Sequence, residues 1–102
     1  MIDIKDTIIV LNDTPKEEAA DIRRCLATLY QIREGEQPLD RELGLSQDFL
    51  DYPENIARNI LALEIMEKTK RYEKRVAVEK VEYKQGKEGM LIPVVYLKRG
   101  DG

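Results

Sequence analysis

Apolar residues recur along this chain with two periods, and the change from one to the other falls at Tyr72-Glu73-Lys74-Arg75-Val76-Ala77-Val78. Before that junction the spacing is mainly helical; after it, side chains alternate as in a strand. At the start, Ile2 and Ile4 alternate with charges and Thr7-Ile8-Ile9-Val10-Leu11 is β-branched, which predicts a strand or extended arm over residues 1–14. Asn12-Asp13-Thr14-Pro15-Lys16-Glu17 then reads as a helix start, with Thr14 as cap, Pro15 in the first helical position and Glu17 completing a capping box. Ala19, Ile22, Leu26, Leu29 and Arg33 follow one helical line, Cys25 and Ile32 widen it, and Gly35 supplies a stop.

From Glu34 to Leu45 neither period holds, and two glycines and a proline predict a structured connection. Ser46 is placed to cap a short turn, Gln47 to Leu50, that drops Phe49 and Leu50 into the core. Asp51-Tyr52-Pro53-Glu54 restarts a helix with an acidic cap. In it Ile56, Ile60, Leu63 and Glu67 form one line and Ala57, Leu61 and Ile65 lie beside it, a broad apolar face. Glu54 with Arg58, Glu64 with Lys68 and Glu67 with Arg71 are spaced for exposed ion pairs, each worth about 0.3–0.5 kcal/mol. The helix is predicted to run to about Tyr72.

Val76 and Val78 point one way and Val81 and Tyr83 have the opposite parity, so a bulge near Glu79-Lys80 or a switch of buried face is expected. Gln85-Gly86-Lys87-Glu88-Gly89 is the turn of a hairpin spanning 75–99, and Met90 to Lys98 is its return strand. Pro93 lacks a donor, so this strand should lie at an edge or interrupt its pairing there. Each arm, at about 3.3 Å per residue, spans roughly 30 Å. Either part of the hairpin extends beyond the core and offers open backbone groups to another subunit, or it packs across both helices.

The chain of 102 residues fits one domain, able to bury roughly two thirds of its unfolded surface. The fold class expected is α+β: two main helices on a small mixed or antiparallel sheet, with residues 15–72 the helical part. A charged share of 36% and net charge of -3 give no general footprint for nucleic acid. The opening residues are too charged for a signal peptide, and no apolar run reaches the roughly 18–20 residues of a membrane span. Asn12-Asp13-Thr14 matches a glycosylation acceptor, which has no weight without a secretory signal.

Catalytic chemistry is sparse. With no histidine, one cysteine and one serine, the residues offer no zinc site, thiol or serine triad, or redox motif, so no catalytic residue, metal or cofactor is expected. Cys25 is expected to be a small buried hydrophobe. Glu34 and Glu36, the nearest pair of carboxylates, would define a muramidase only if held across a cleft; around a glycine in a polar loop they are expected to be solvated. Glu73 and Arg75 lie on one side of an extended chain, where they either pair or both face outward. An exposed pair contributes about 0–1 kcal/mol, whereas one partly buried at a subunit contact can fix orientation through bidentate bonds.

Three features together resemble the phage tail baseplate wedge family, the GPW or lysozyme-like wedge proteins, with relatives in type VI secretion baseplates. They are the first helix leading into Gly35-Glu36-Gln37-Pro38 and then Gly44, the long helix Pro53 to Tyr72, and Tyr72-Glu73-Lys74-Arg75-Val76-Ala77-Val78, similar to a glutamate-proline-arginine signature before an alternating strand. The likeness covers about Glu18 to Tyr83. It departs at Lys74, where the signature has proline, and at Gln37, where arginine is common. Lys74 removes a rigid kink between the two retained signature charges.

The resemblance implies a non-catalytic component of a contractile tail baseplate, encoded by a phage or prophage and assembled in the bacterial host cytoplasm. Its partners would be wedge subunits and the sheath protein, with neither nucleic acid nor membrane. Glu73 and Arg75 are the residues expected to orient a wedge contact. Val94, Val95, Tyr96 and Leu97 on the return strand are expected to start sheath assembly by strand addition. The alternative is a small regulatory protein-binding module on the same fold, as in a bacterial anti-adaptor of protease recognition, with a packed hairpin and a surface patch elsewhere.

Overall fold

The computed structural model describes residues 2–11, 14–36, 38–39, 42–46 and 48–100. Two helices, α1 (Lys16–Gln31) and α2 (Glu54–Tyr72), pack with a mixed sheet of β1 (Ile8–Leu11), β2 (Val76–Gln85) and β3 (Leu91–Arg99). The fold is therefore α+β with a C-terminal hairpin. The order β1-β3-β2 places β3 in the centre, parallel to β1 and antiparallel to β2.

The predicted periods select most of the core. Ala19, Ile22, Leu26 and Leu29 are buried on α1, Ala57, Leu61 and Ile65 on α2, and they meet Val76, Val95 and Leu97 of the hairpin. A radius of gyration of 13.3 Å matches the roughly 13 Å of a packed domain of this size. Tyr30 and Thr69 join the helices inside the core by a hydroxyl–hydroxyl hydrogen bond of 2.6 Å, and burial pushes the Tyr30 phenol up to about 12.

Helix ends depart from the expectation. Pro15 and Pro53 hold the N-cap positions, with extended ψ and no side-chain cap bond; their carbonyls accept from Ala19 and Ala57, each at 2.8 Å. The pyrrolidine ring fixes φ near the required entry value, so proline sets the start where Thr14 and Asp51 were expected to cap. Asp51 instead closes a 3-10 turn, Asp48–Asp51. α1 ends at Gln31 rather than running toward Gly35, because Ile32 turns extended and Arg33 bridges to Leu45. Asn12, Asp13, Gln37 and Gln47, which entered the expected helix start, motif and turn, lie outside the described residues.

The connection between the helices is structured, as expected. Leu45 donates to the Ile32 carbonyl at 2.9 Å and its own carbonyl accepts from Glu34 at 2.8 Å, so the ends of the loop are clamped together. Gly44 makes this possible: its φ is +100°, and a Cβ there would meet the Ile32 carbonyl oxygen at 2.2 Å. Ser46 Oγ accepts from the Asp48 amide at 3.3 Å, the predicted cap. Phe49 is buried, but Leu50 is 53% exposed and does not enter the core.

Across the hairpin, the register shifts between Val78 and Lys80, which places the bulge where the parity changes. β2 pairs as far as Gln85 with Leu91, and Tyr83 donates to the Arg58 carbonyl of α2 at 2.8 Å. At the tip, Ile2 bridges to Leu91 and Asp3 donates to the Leu91 carbonyl at 2.8 Å. The hairpin thus packs along its length instead of extending from the domain. Pro93 sits in the central strand, not at an edge. Pairing on the β1 side nevertheless breaks there: it holds at Leu91, lapses, and resumes at Val94 with Ile8. Leu91 turns its carbonyl to Asp3, in the segment that leads into β1, and the period of two turns Pro93 the same way, where it has no proton to donate.

Candidate protein-binding site

The junction after α2 is a densely bonded polar site. The Glu73 side chain is 8% exposed and the Arg75 guanidinium grips it with both arms, Nε to Oε1 at 2.8 Å and Nη2 to Oε2 at 2.7 Å. The Arg75 amide also donates to Glu73 Oε1 at 3.1 Å. Arg75 Nη1 reaches Asp21 on α1 at 2.8 Å, and Asp21 holds Arg24 at 2.6 Å. Glu73 and Arg75 therefore pair with each other, and Arg75 also fastens the start of β2 to α1. Asp21 carried no signal in the sequence beyond its place on the polar side of α1.

These contacts move the acids in one direction. The Arg75 hydrogen bonds hold the Glu73 carboxyl below its ordinary value against the opposing effect of burial, and Arg75 followed by Arg24 does the same for Asp21. The stabilisation is therefore complete above the unfolded values near 4 and is lost as pH falls through the lower folded values. Glu73→Gln is expected to cost about 1–2 kcal/mol at neutral pH. The gap between wild type and a Glu73→Gln/Asp21→Asn variant should narrow in thermal melts below about pH 4; a gap independent of pH would place the stabilisation elsewhere.

Cys25 is exposed, with Sγ 3.9 Å from Arg75 Nη2, and is not the buried hydrophobe expected. The arginine network occupies this side of α1, so the apolar stripe passes one step away, through Leu26 and Leu29.

A second polar group pins the connecting loop to α2. Lys68, its side chain 7% exposed, donates to Glu34 at 2.7 Å and to the Glu42 carbonyl, while Glu42 also pairs with Arg71. Glu64 accepts from the Ser46 amide and from its hydroxyl, the latter at 2.8 Å. Glu64, Lys68 and Arg71, expected to pair along the helix, thus reach across to the loop, because its closure brings other partners to α2. Glu34 serves as the counterion of Lys68 and Glu36 is exposed in the adjacent turn. Among the described residues no group of three or more histidine, cysteine, aspartate or glutamate side chains is placed to hold a metal, and no helix is long and apolar enough to cross a membrane.

Val94, Val95, Tyr96 and Leu97 pair with Ile8 to Leu11 on one side and with β2 on the other. A strand with two neighbours has no free edge, so the expectation that this strand accepts another is corrected. The long outer strand is β2, and no backbone hydrogen bond among the described residues reaches its outer side. Along it lie the bulge and the exposed charges Glu79, Lys80, Glu82 and Lys84, which limit unspecific pairing without covering the edge.

The last element of the surface is apolar. Ile56, Leu63 and Met66 of α2 are 44%, 67% and 42% exposed, although the spacing assigned Ile56 and Leu63 to the buried face. The sheet and α1 use the line through Ala57, Leu61 and Ile65, and the adjacent line is left facing outward. No protein-family model matches the chain, and no curated protein matches it either.

Proposed function

We propose that this protein is a non-catalytic structural subunit of a contractile-tail baseplate that works through contacts with neighbouring subunits. The motif resemblance supplies the biological setting. The observation that carries the reading is the open outer edge of β2, held against α1 through the Glu73–Arg75–Asp21 network at its base. Strand addition for sheath assembly then uses β2 rather than β3, and the network fixes the direction in which β2 leaves the helix. Arg75 has solvent access, with 38% of its side chain exposed, so it can contact a wedge neighbour from within the network.

The test mixes the purified protein with the sheath and wedge subunits encoded in the same genome and follows co-sedimentation. Complex formation with wild type, reduced at least about tenfold by Val81→Pro at the β2 edge, supports the reading. The packed hairpin and the exposed α2 face favour a second reading, a small regulatory protein-binding module. A stable complex with a host regulator, without binding to any tail subunit, would replace the first reading by the second.

A further inference from the structure

α2 is apolar on two sides. Its inward line, Ala57, Leu61 and Ile65, is consumed by the core, yet Ile56, Leu63 and Met66 lie exposed on the outside, joined by Ile60, which is partly buried between the two lines, at steps of four, three and three. This is the spacing of a helix–helix seam, and a helix apolar on both sides belongs inside a larger assembly. Leu63, the most exposed of the four, stands on the crest between two grooves.

The grooves differ in charge. On one side the acids and bases already satisfy one another, Glu34 with Lys68 and Glu42 with Arg71. On the other, Leu63 and Met66 face Val76 and Val78 of β2 across an apolar floor, and the rim carries Lys70, Lys74 and Lys98 against one carboxylate, Glu67. None of these three lysines is in an ion pair among the described residues. A concentration of unpaired positive charge on a chain of net charge -3 favours an acidic ligand, and the apolar floor favours amphipathic protein over a phosphate polymer.

We infer that the groove between the outer face of α2 and the first half of β2 docks an acidic amphipathic helix of a partner subunit. Its apolar residues pack on Leu63 and Met66, and its carboxylates meet Lys70, Lys74 and Lys98. A helix fits better than a strand here because the apolar residues on α2 are spaced for a helical partner and the bulge after Val78 interrupts the strand edge. This contact is separate from strand addition and does not require it.

The probe is a fluorescent synthetic peptide of about 18 residues, roughly 27 Å as a helix, with leucine on one face and glutamate on the other. Binding to the full chain is read by anisotropy. The expected result is saturable binding that weakens with added salt, falls at least about tenfold in Leu63→Asp and in Lys70→Glu/Lys74→Glu, and is absent for the same peptide with lysine replacing glutamate. Unchanged thermal melts confirm that these exposed substitutions leave the fold intact. No binding, equal binding of the basic peptide, or indifference to Leu63→Asp overturns the inference. So does tighter binding of an alternating extended peptide, which assigns the groove to a strand, or a dimer of the protein alone that Leu63→Asp dissolves, which assigns the face to a second copy.

Discussion

Gly44→Ala is expected to destabilise the protein by at least about 3 kcal/mol, lowering the melting temperature by roughly 12 °C or more. Two effects add. A φ of +100° strains any side-chain-bearing residue by about 1–3 kcal/mol, and the new Cβ would stand 2.2 Å from the Ile32 carbonyl oxygen and 2.7 Å from its carbon. Backbone cannot swing aside as a flexible side chain can, so the loop must part from the end of α1. That separation breaks the hydrogen bond from Leu45 to Ile32 and withdraws Leu45, fully buried in wild type, from the core. Gly35→Ala is the control: its φ is +95° but nothing lies within 4 Å of the added Cβ, so only the backbone strain of about 1–3 kcal/mol is expected, less than the loss at Gly44. Equal melting temperatures for the two variants would show that the clamp at Ile32 does not hold the loop.

Phe49→Ala should cost about 3–5 kcal/mol in urea unfolding, while Leu50→Ala should stay within about 1 kcal/mol. Phe49 is 1% exposed in the cluster with Ile2, Leu26 and Ala57, so truncation removes its transfer energy and leaves a cavity. Leu50, its neighbour, faces solvent over half its surface. A loss at Leu50 equal to that at Phe49 would mean that the 3-10 turn is rotated relative to the core. The pair also tests whether the short turn between the helices contributes to the core or merely connects them.

These two adjacent residues illustrate what periodicity conveys. In a turn of four residues there is no repeat from which to read a buried side, and only contact with Ile2 and α2 chose Phe49. The same limit applied to α2. Its spacing revealed two apolar lines, but which line met the sheet depended on where α1 and the hairpin came to rest. The outward line became a candidate docking face because the other had been used.

The junction site was half legible. Glu73 and Arg75 stood out as charges at a change of period, and their pairing was one of two arrangements left open. Asp21, more than fifty residues earlier, completes the network, and nothing local marked it. The strand edge was misplaced for a similar reason. The hairpin was visible, but the β-branched run Ile8 to Leu11 carried no sign of its partner, and by pairing with Val94 to Leu97 it closed one edge of β3.

Alone, the sequence determined the two helices and the hairpin, because each follows from side-chain period within a few residues, and it narrowed the parity change near Glu79-Lys80 and the missing donor at Pro93 to two arrangements each. Tertiary structure decided which strand is central, which face of α2 remains open, and that Arg75 reaches the distant Asp21 as well as Glu73. Those outcomes depend on groups far apart in the chain competing for the same edge, face or charge, and only the folded arrangement brings the competitors together.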